Sequence, residues 1–135
     1  MGQLWRSFLL LIGLSFANCL HAESPIEEAP PHYLFKILST KDWKESQGQP
    51  CLKLSSYDIK FIHLCTETQI DRIVEKFYGN EEQVIVIKVE TPKLSGKLIK
   101  EKNPGGFTEY YHLYEGSIPM SSVVDHNVQK VQKRR

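Results

Sequence analysis

The chain has few cysteines, little imbalance of charge and no apolar run long enough to cross a bilayer. Its 135 residues include 3 cysteines, and 17 Lys and Arg stand against 16 Asp and Glu. Because a nearly neutral chain attracts neither nucleic acid nor an anionic membrane, we predict that it binds neither. Cys51, Cys65 and the scattered histidines lack the paired spacing of a zinc site, so we predict no metal.

The first 22 residues have the pattern of a secretory signal peptide. Arg6 precedes a mostly apolar run from Phe8 to Phe16, and small and polar residues follow up to Ala22. A membrane-spanning helix needs about 20 apolar residues, so this run predicts a cleaved signal rather than an anchor. We therefore predict a secreted or periplasmic protein, cut after Ala22 or, alternatively, after Ala17.

The rest of the chain predicts one domain between two short terminal segments. Residues 23–32 are acidic and contain three prolines, which predicts a flexible leader. We predict a single α+β domain over residues 33–126 and a basic tail over residues 127–135. Export would place Cys51 and Cys65 where disulfides persist, but the sequence leaves open whether these two thiols pair.

Hydrophobic periodicity predicts two helices early in the domain and strands for most of the remainder. Strands are predicted over residues 33–38, 61–65, 83–89, 98–101, 108–114 and 122–125, and helices over residues 41–46 and 67–78. The strand at residues 83–89 is apolar on both faces, so we expect it in the centre of a sheet. Residues 103–106, Asn-Pro-Gly-Gly, predict a turn.

The most informative stretch runs from residue 60 to residue 69, where a strand leads directly into a helix. Strand alternation places Phe61, His63 and Cys65 on one face. Thr66 and Gln69 match a capping box, which starts the next helix. The strand therefore delivers a His and a Cys to the point where it ends, and a rigid strand end leaves room for a ligand.

Several short motifs, in this order, resemble those of a small bacterial family named domain of unknown function 952. The motifs are Phe35-Lys36-Ile37 followed by Trp43, Phe61-Ile62-His63 with Thr66 and Gln69, the strand from Val84 to Val89, Glu101, and His112-Leu113-Tyr114. The resemblance covers residues 33–125. That family is grouped with the ADP-ribosyltransferase-like folds, so the resemblance implies a split, mostly antiparallel β-core around a cleft for NAD.

The resemblance implies three candidate catalytic residues, His63, Glu101 and His112. A strand His holds the ribose of NAD in transferases of this superfamily, and a neutral imidazole can exchange a hydrogen bond with a hydroxyl. The Glu101 carboxylate can stabilise an oxocarbenium-like ribosyl cation. The alternatives are a half-buried His bonded to backbone, and a surface salt bridge between Glu101 and Lys100 or Lys102.

Four further residues are candidates for cofactor contact: Lys36, Cys65, Tyr110 and Tyr114. Lys36 can meet a phosphate, Cys65 can add a contact beside His63, and the tyrosine rings can stack on a base or nicotinamide. The alternatives are an edge-strand Lys that blocks aggregation, an inert buried Cys and an aromatic ladder that stiffens the sheet. Cys65 also allows a Cys/His hydrolase, although parallel side chains at i and i+2 make proton transfer awkward.

We therefore predict an exported protein that binds NAD or a related small-molecule nucleotide and transfers or hydrolyses ADP-ribose. The competing hypothesis is a ligand-binding or interaction domain on the same fold that performs no chemistry. Because NAD is scarce outside the cytoplasm, an exported transferase needs a host target or another substrate.

Overall fold

The computed structural model describes residues 27–133, which form an α+β domain of six strands and two α-helices. The elements are β1 (Tyr33–Ser39), α1 (Thr40–Ser46), β2 (Ile62–Leu64), α2 (Ile70–Phe77), β3 (Gln83–Glu90), β4 (Ser95–Lys102), β5 (Glu109–Ser117) and β6 (Val123–Lys130). The predicted signal peptide and its cleavage points lie outside the described residues. Within residues 27–133, no helix has the length and apolar character needed to cross a membrane.

The strands form two three-stranded sheets, one in the order β1-β3-β6 and the other in the order β2-β5-β4. Every neighbouring pair in these sheets is antiparallel. A single bridge joins the sheets, because Phe35 N–H donates to Cys65 O at 2.8 Å and Cys65 N–H donates to Phe35 O at 3.0 Å. The α+β class and the split antiparallel core are thus confirmed, as is the central position of β3.

Alternation along β2 and β5 separates a core face from an outer face. Ile62, Leu64 and Leu113 are buried with Leu34 and Ile87 of the other sheet in one hydrophobic cluster. Burying these side chains is the main stabilising contribution to the fold. The residues between them along β2 and β5 therefore project from the opposite face of the sheet, which is where the candidate site lies.

The helix that follows β2 begins as the sequence predicts. The capping box of Thr66 and Gln69 is present, but it opens a 3₁₀ turn over Glu67–Gln69 before α2 proper. Gln69 Oε1 accepts from Thr66 N–H at 3.1 Å, and Gln69 Nε2 donates to Glu109 O at 2.9 Å. The second bond ties the start of α2 to β5. Phe77, the last residue of α2, is exposed.

At both ends of the domain, residues that the sequence assigned to terminal segments form hydrogen bonds with its strands. His32 O accepts from Thr91 N–H at 2.9 Å, and Pro31 O accepts from Thr91 Oγ1 at 2.6 Å, so the last leader residues lie against the end of β3. At the other end, β6 extends to Lys130 and includes four residues that the sequence assigned to the basic tail. Pairing with β3 explains this extension, because the backbone groups of β6 are satisfied by the ladder.

A bulge interrupts the β4–β5 ladder near the start of β4. The register shifts between Ser95 and Lys97, opposite the end of β5. Gly96 has φ +122°, and a Cβ on either Gly96 or Gly116 would collide with the facing backbone. Both positions therefore need glycine.

Candidate functional site

Two imidazoles that are 49 positions apart in the sequence meet on the outer face of the second sheet. His63 and His112 are direct partners across β2 and β5, with ring centroids 5.3 Å apart and planes at 75°. Phe61 stacks on His112 at 4.0 Å and lies 5.2 Å from the ring of Tyr114. We call Phe61, His63, Glu101, His112 and Tyr114 the imidazole cluster. His63, Glu101 and His112 therefore lie close together in the structure.

His63 is held by a carboxylate that sequence reasoning did not identify. Asp58 Oδ1 accepts from His63 N–H at 3.0 Å and lies 3.0 Å from His63 Nδ1. Asp58 ends a short 3₁₀ turn, and the hydroxyl of Ser55, which precedes that turn, donates to Asp58 Oδ2 at 3.3 Å. Among residues 27–133, no hydrogen bond involves His63 Nε2, and the side chain is 39% exposed. That nitrogen is therefore free to meet a ligand.

The buried side chain of Lys36, on β1, forms an ion pair with Asp58. Its Nζ donates to both carboxylate oxygens of Asp58 at 2.8 Å and to His63 O at 3.2 Å. An ammonium group has three N–H donors, so all of them are satisfied. The side chains of Lys36 and Asp58 are only 5% and 2% exposed. Lys36 was predicted to contact a phosphate or to protect a sheet edge. Its hydrogen bonds leave no N–H donor for a phosphate, and its burial leaves no exposed charge at the edge.

The surroundings of this ion pair shift the pKa values of both groups. Burial alone would raise the pKa of Asp58, but the hydrogen bond from the His63 ring and the charge of Lys36 outweigh it. The pKa of Asp58 therefore lies well below its ordinary value. Burial lowers the pKa of Lys36, and the neighbouring Asp58 charge opposes that shift. Because all three N–H donors are used, the charged form is the one that fits this geometry.

Glu101 is the centre of a second group of hydrogen bonds. His112 Nδ1 lies 2.8 Å from Glu101 Oε1, and the Tyr114 hydroxyl donates to the same oxygen. Hydrogen bonds from Tyr114 and His112 hold the pKa of Glu101 below its usual value, and the bond to Glu101 raises the pKa of Tyr114. No hydrogen bond within the described chain uses Glu101 Oε2. Glu101 is therefore a fixed negative charge with one open oxygen.

His112 has both ring nitrogens occupied. Its Nε2 lies 2.8 Å from Asn103 Oδ1, and the residue is fully buried. Burial lowers the pKa of His112, so at neutral pH the ring carries one proton. We assign that proton to Nδ1, because the Glu101 carboxylate only accepts. Nε2 is then an acceptor, which requires the Asn103 amide to be turned by 180° so that its NH₂ group, rather than Oδ1, faces the ring. His112 was predicted to be catalytic; in the structure its buried ring contacts Glu101 and Asn103.

Two of the predicted contact residues are buried in the hydrophobic core. Cys65 is 2% exposed, and burial raises the pKa of its thiol to about 12, so it offers neither a ligand contact nor a nucleophile. Cys65 therefore lacks the reactive thiolate that the Cys/His hydrolase hypothesis requires. Cys51 and Cys65 are both free thiols in the structure. Tyr110 is 7% exposed and packs in the core cluster with Val74 and Val84, so its ring is not available for stacking.

One pocket of the described residues lies in another part of the fold. Its volume is about 360 Å³, and none of the imidazole-cluster residues lines it. The lining comes from the leader, the β3–β4 connection, β4 and β5: Pro30, Pro31, His32, Thr91, Pro92, Leu94, Gly96, Leu98 and Leu113. The imidazole cluster is a group of polar and aromatic side chains, and its chemistry marks it as a candidate site.

Known proteins similar to this chain share its fold. The crystal structure of protein CC0527 from Caulobacter crescentus superimposes with a TM-score of 0.61 at 26% identity, covering 71% of this chain and 84% of that one. Its solution NMR structure gives a TM-score of 0.63 at 25% identity, with coverage of 76% and 88%. Among curated proteins, none matches this chain.

A family model described as "Protein of unknown function (DUF952)" matches residues 37–126. This range includes every member of the imidazole cluster, together with Asp58 and Asn103. The match extends over more than half of the chain and agrees with the resemblance in the sequence motifs. The chain therefore belongs to the DUF952 family.

Proposed function

We propose that this protein binds NAD or a related nucleotide on the imidazole cluster and transfers or hydrolyses its ADP-ribose group. One observation carries the proposal: an ionised Glu101 carboxylate lies among the rings of His112, Tyr114 and Phe61, beside a His63 whose Nε2 is free. A fixed negative charge next to aromatic rings favours a ligand with a cationic aromatic group, such as the nicotinamide ring of NAD.

The hydrogen bonds around Glu101 favour an electrostatic role over proton transfer. Because its pKa is lowered, Glu101 is a poor proton acceptor near neutral pH. Its open oxygen instead supplies negative charge where positive charge develops, at a ribosyl carbon that is losing its leaving group. His112 and Tyr114 hold the carboxylate in place for that purpose.

His63 supplies recognition of the sugar. Its ring is fixed by Asp58 on one side, and its partly exposed edge carries the free Nε2. A ribose hydroxyl can donate to this nitrogen. A mobile imidazole would lose conformational entropy on binding, whereas this one is already oriented, so the contact costs less free energy.

The fold group and the location belong to the same proposal. Two antiparallel sheets joined only at the Phe35–Cys65 bridge are compatible with the split core of the ADP-ribosyltransferase-like folds. The signal-like N-terminus supports export. Outside the cytoplasm the acceptor would be a host target, or the substrate a nucleotide other than NAD.

A binding domain without turnover is the second candidate, and the state of His112 favours it. With both nitrogens of His112 engaged in a buried position, only His63 and Glu101 present open polar atoms within the imidazole cluster. A fixed carboxylate and a hydrogen-bond acceptor are sufficient to hold a ligand, but neither readily donates a proton to a leaving group.

Calorimetric titration with NAD and with ADP-ribose tests the proposal, with nicotinamide release assayed on the same samples. We expect saturable binding, weakened about 5- to 140-fold in His63→Ala, since a lost hydrogen bond to a bound ligand costs about 1–3 kcal/mol. His126→Ala is the matched control, because His126 is exposed on β6 beside Trp43 and should bind normally. Binding with release supports an enzyme, binding alone supports the second candidate, and no binding overturns both nucleotide proposals.

A further inference from the structure

We infer that Asp58, held by Lys36, is a positioning residue that sets the tautomer of His63: whenever the ring is neutral, its proton lies on Nδ1 and its lone pair on Nε2. Nothing in the sequence pattern singles out Asp58, and the role does not follow from the family resemblance. It follows from which atoms can donate and which can only accept.

The Asp58 carboxylate is surrounded by hydrogen-bond donors. Asp58 Oδ1 accepts from Lys36 Nζ at 2.8 Å and from His63 N–H at 3.0 Å, and Oδ2 accepts from Lys36 and from the Ser55 hydroxyl. A carboxylate surrounded by donors in this way is ionised and has no proton to give. The 3.0 Å contact between Oδ1 and His63 Nδ1 is therefore a hydrogen bond only if Nδ1 carries the proton.

Lys36 keeps that carboxylate from turning away. It bonds both oxygens of Asp58 and also the backbone carbonyl of His63, so the same ammonium is anchored to the strand that carries the imidazole. Removal of Lys36 would take one hydrogen bond from each carboxylate oxygen of Asp58 and leave it held by the Ser55 hydroxyl and the His63 N–H. The pair thus fixes the direction of the acceptor as well as its charge.

This assignment sets the chemistry of the atom that His63 presents to a ligand. An unprotonated Nε2 accepts a hydrogen bond from a hydroxyl or amide N–H and repels the lone pairs of a phosphate or carbonyl oxygen. The consequence for the ligand rests on the proposed function. The tautomer itself does not, because it is a property of the free protein.

Long-range ¹H–¹⁵N correlation spectra of the histidine rings test the inference without any ligand. At mildly alkaline pH, where an ordinary histidine side chain is neutral, we expect Nε2 of His63 to resonate far downfield as an unprotonated nitrogen and Nδ1 to resonate as an N–H. An N–H at Nε2 in the wild-type protein would overturn the inference. Nucleotide binding is measured separately, so failure of the proposed function leaves this result intact, and the reverse also holds.

Two variants separate positioning from simple support of the fold. In Lys36→Met/Asp58→Leu both buried charges are removed together, and we expect the His63 ring to revert toward the Nε2–H form that free histidine favours. Asp58→Asn should show a smaller shift in the same direction, because an amide can both donate and accept. Asp125→Asn is the control, since Asp125 is exposed on β6 and bonds its neighbour His126. An unchanged Nδ1–H form in both Asp58 variants would contradict the inference.

Discussion

Asp58→Ala should lower the free energy of unfolding by about 3–5 kcal/mol. The substitution leaves the Lys36 ammonium buried without a counter-ion, and the His63 ring and backbone N–H lose their acceptor. The cost of an unpaired buried charge exceeds that of losing an exposed ion pair, which is about 1 kcal/mol or less. Urea unfolding followed by circular dichroism measures the loss.

The double variant Lys36→Met/Asp58→Leu is the informative comparison for this stability effect. Replacement of both charges by apolar side chains removes the desolvation cost together with the attraction, so most of the lost stability should return. Asp125→Ala, at an exposed position, should change stability by about 0.5 kcal/mol or less. A loss under about 1 kcal/mol in Asp58→Ala would show that the pair contributes little to the fold.

Acidification should reduce the difference between wild type and Asp58→Ala. The pKa of Asp58 is lowered in the folded protein, so its stabilising contribution is complete above the ordinary Asp pKa of about 3.9. The contribution falls as the pH drops below that value toward the lowered pKa of the folded state. The free energies of unfolding of the wild type and of Asp58→Ala should therefore become similar in acid and differ clearly at neutral pH.

Glu101→Gln should reduce nicotinamide release by about 10²–10³-fold while changing nucleotide affinity only a few-fold. The amide keeps the shape of the side chain and an oxygen for Tyr114 and His112, but it removes the negative charge. If that charge stabilises the transition state more than the bound substrate, the rate falls and the affinity is kept. Single-turnover release and calorimetry on the same preparation separate the two quantities.

Glu109→Gln is the matched control for this substitution. Glu109 is an exposed acid on the neighbouring strand of the same hairpin, and the structure uses its backbone carbonyl rather than its side chain to bind Gln69. It should leave both affinity and rate unchanged. A Glu101→Gln protein that releases nicotinamide within about 2-fold of wild type would remove Glu101 from the mechanism.

The fold was largely predictable because its determinants are local. β3 has apolar residues on both faces, which predicts its central position in the sheet. Thr66 and Gln69 start a helix by contacts within one turn. Alternation also placed His63 and His112 on definite faces of their strands. These patterns depend on spacing alone and need no knowledge of distant partners.

The environment of the site was not predictable in the same way. Lys36 and Asp58 are 22 residues apart, and Asp58 lies in an irregular turn where no periodicity indicates a partner. Alternation gives the face of a residue but not its depth. Phe61 stacks on His112 and Asn103 contacts its Nε2, so a residue predicted to act on a ligand is instead surrounded by protein groups, among them Glu101.

The central claim is that the imidazole cluster, and not the 360 Å³ pocket near Pro92, is where this protein holds its ligand. A ¹⁵N- and ¹³C-resolved NMR titration with ADP-ribose tests it most directly. The account predicts that the largest saturable shift changes occur at His63, Phe61 and Tyr114. Shift changes centred on Pro92 and Leu94, or none at any ligand concentration, would contradict it.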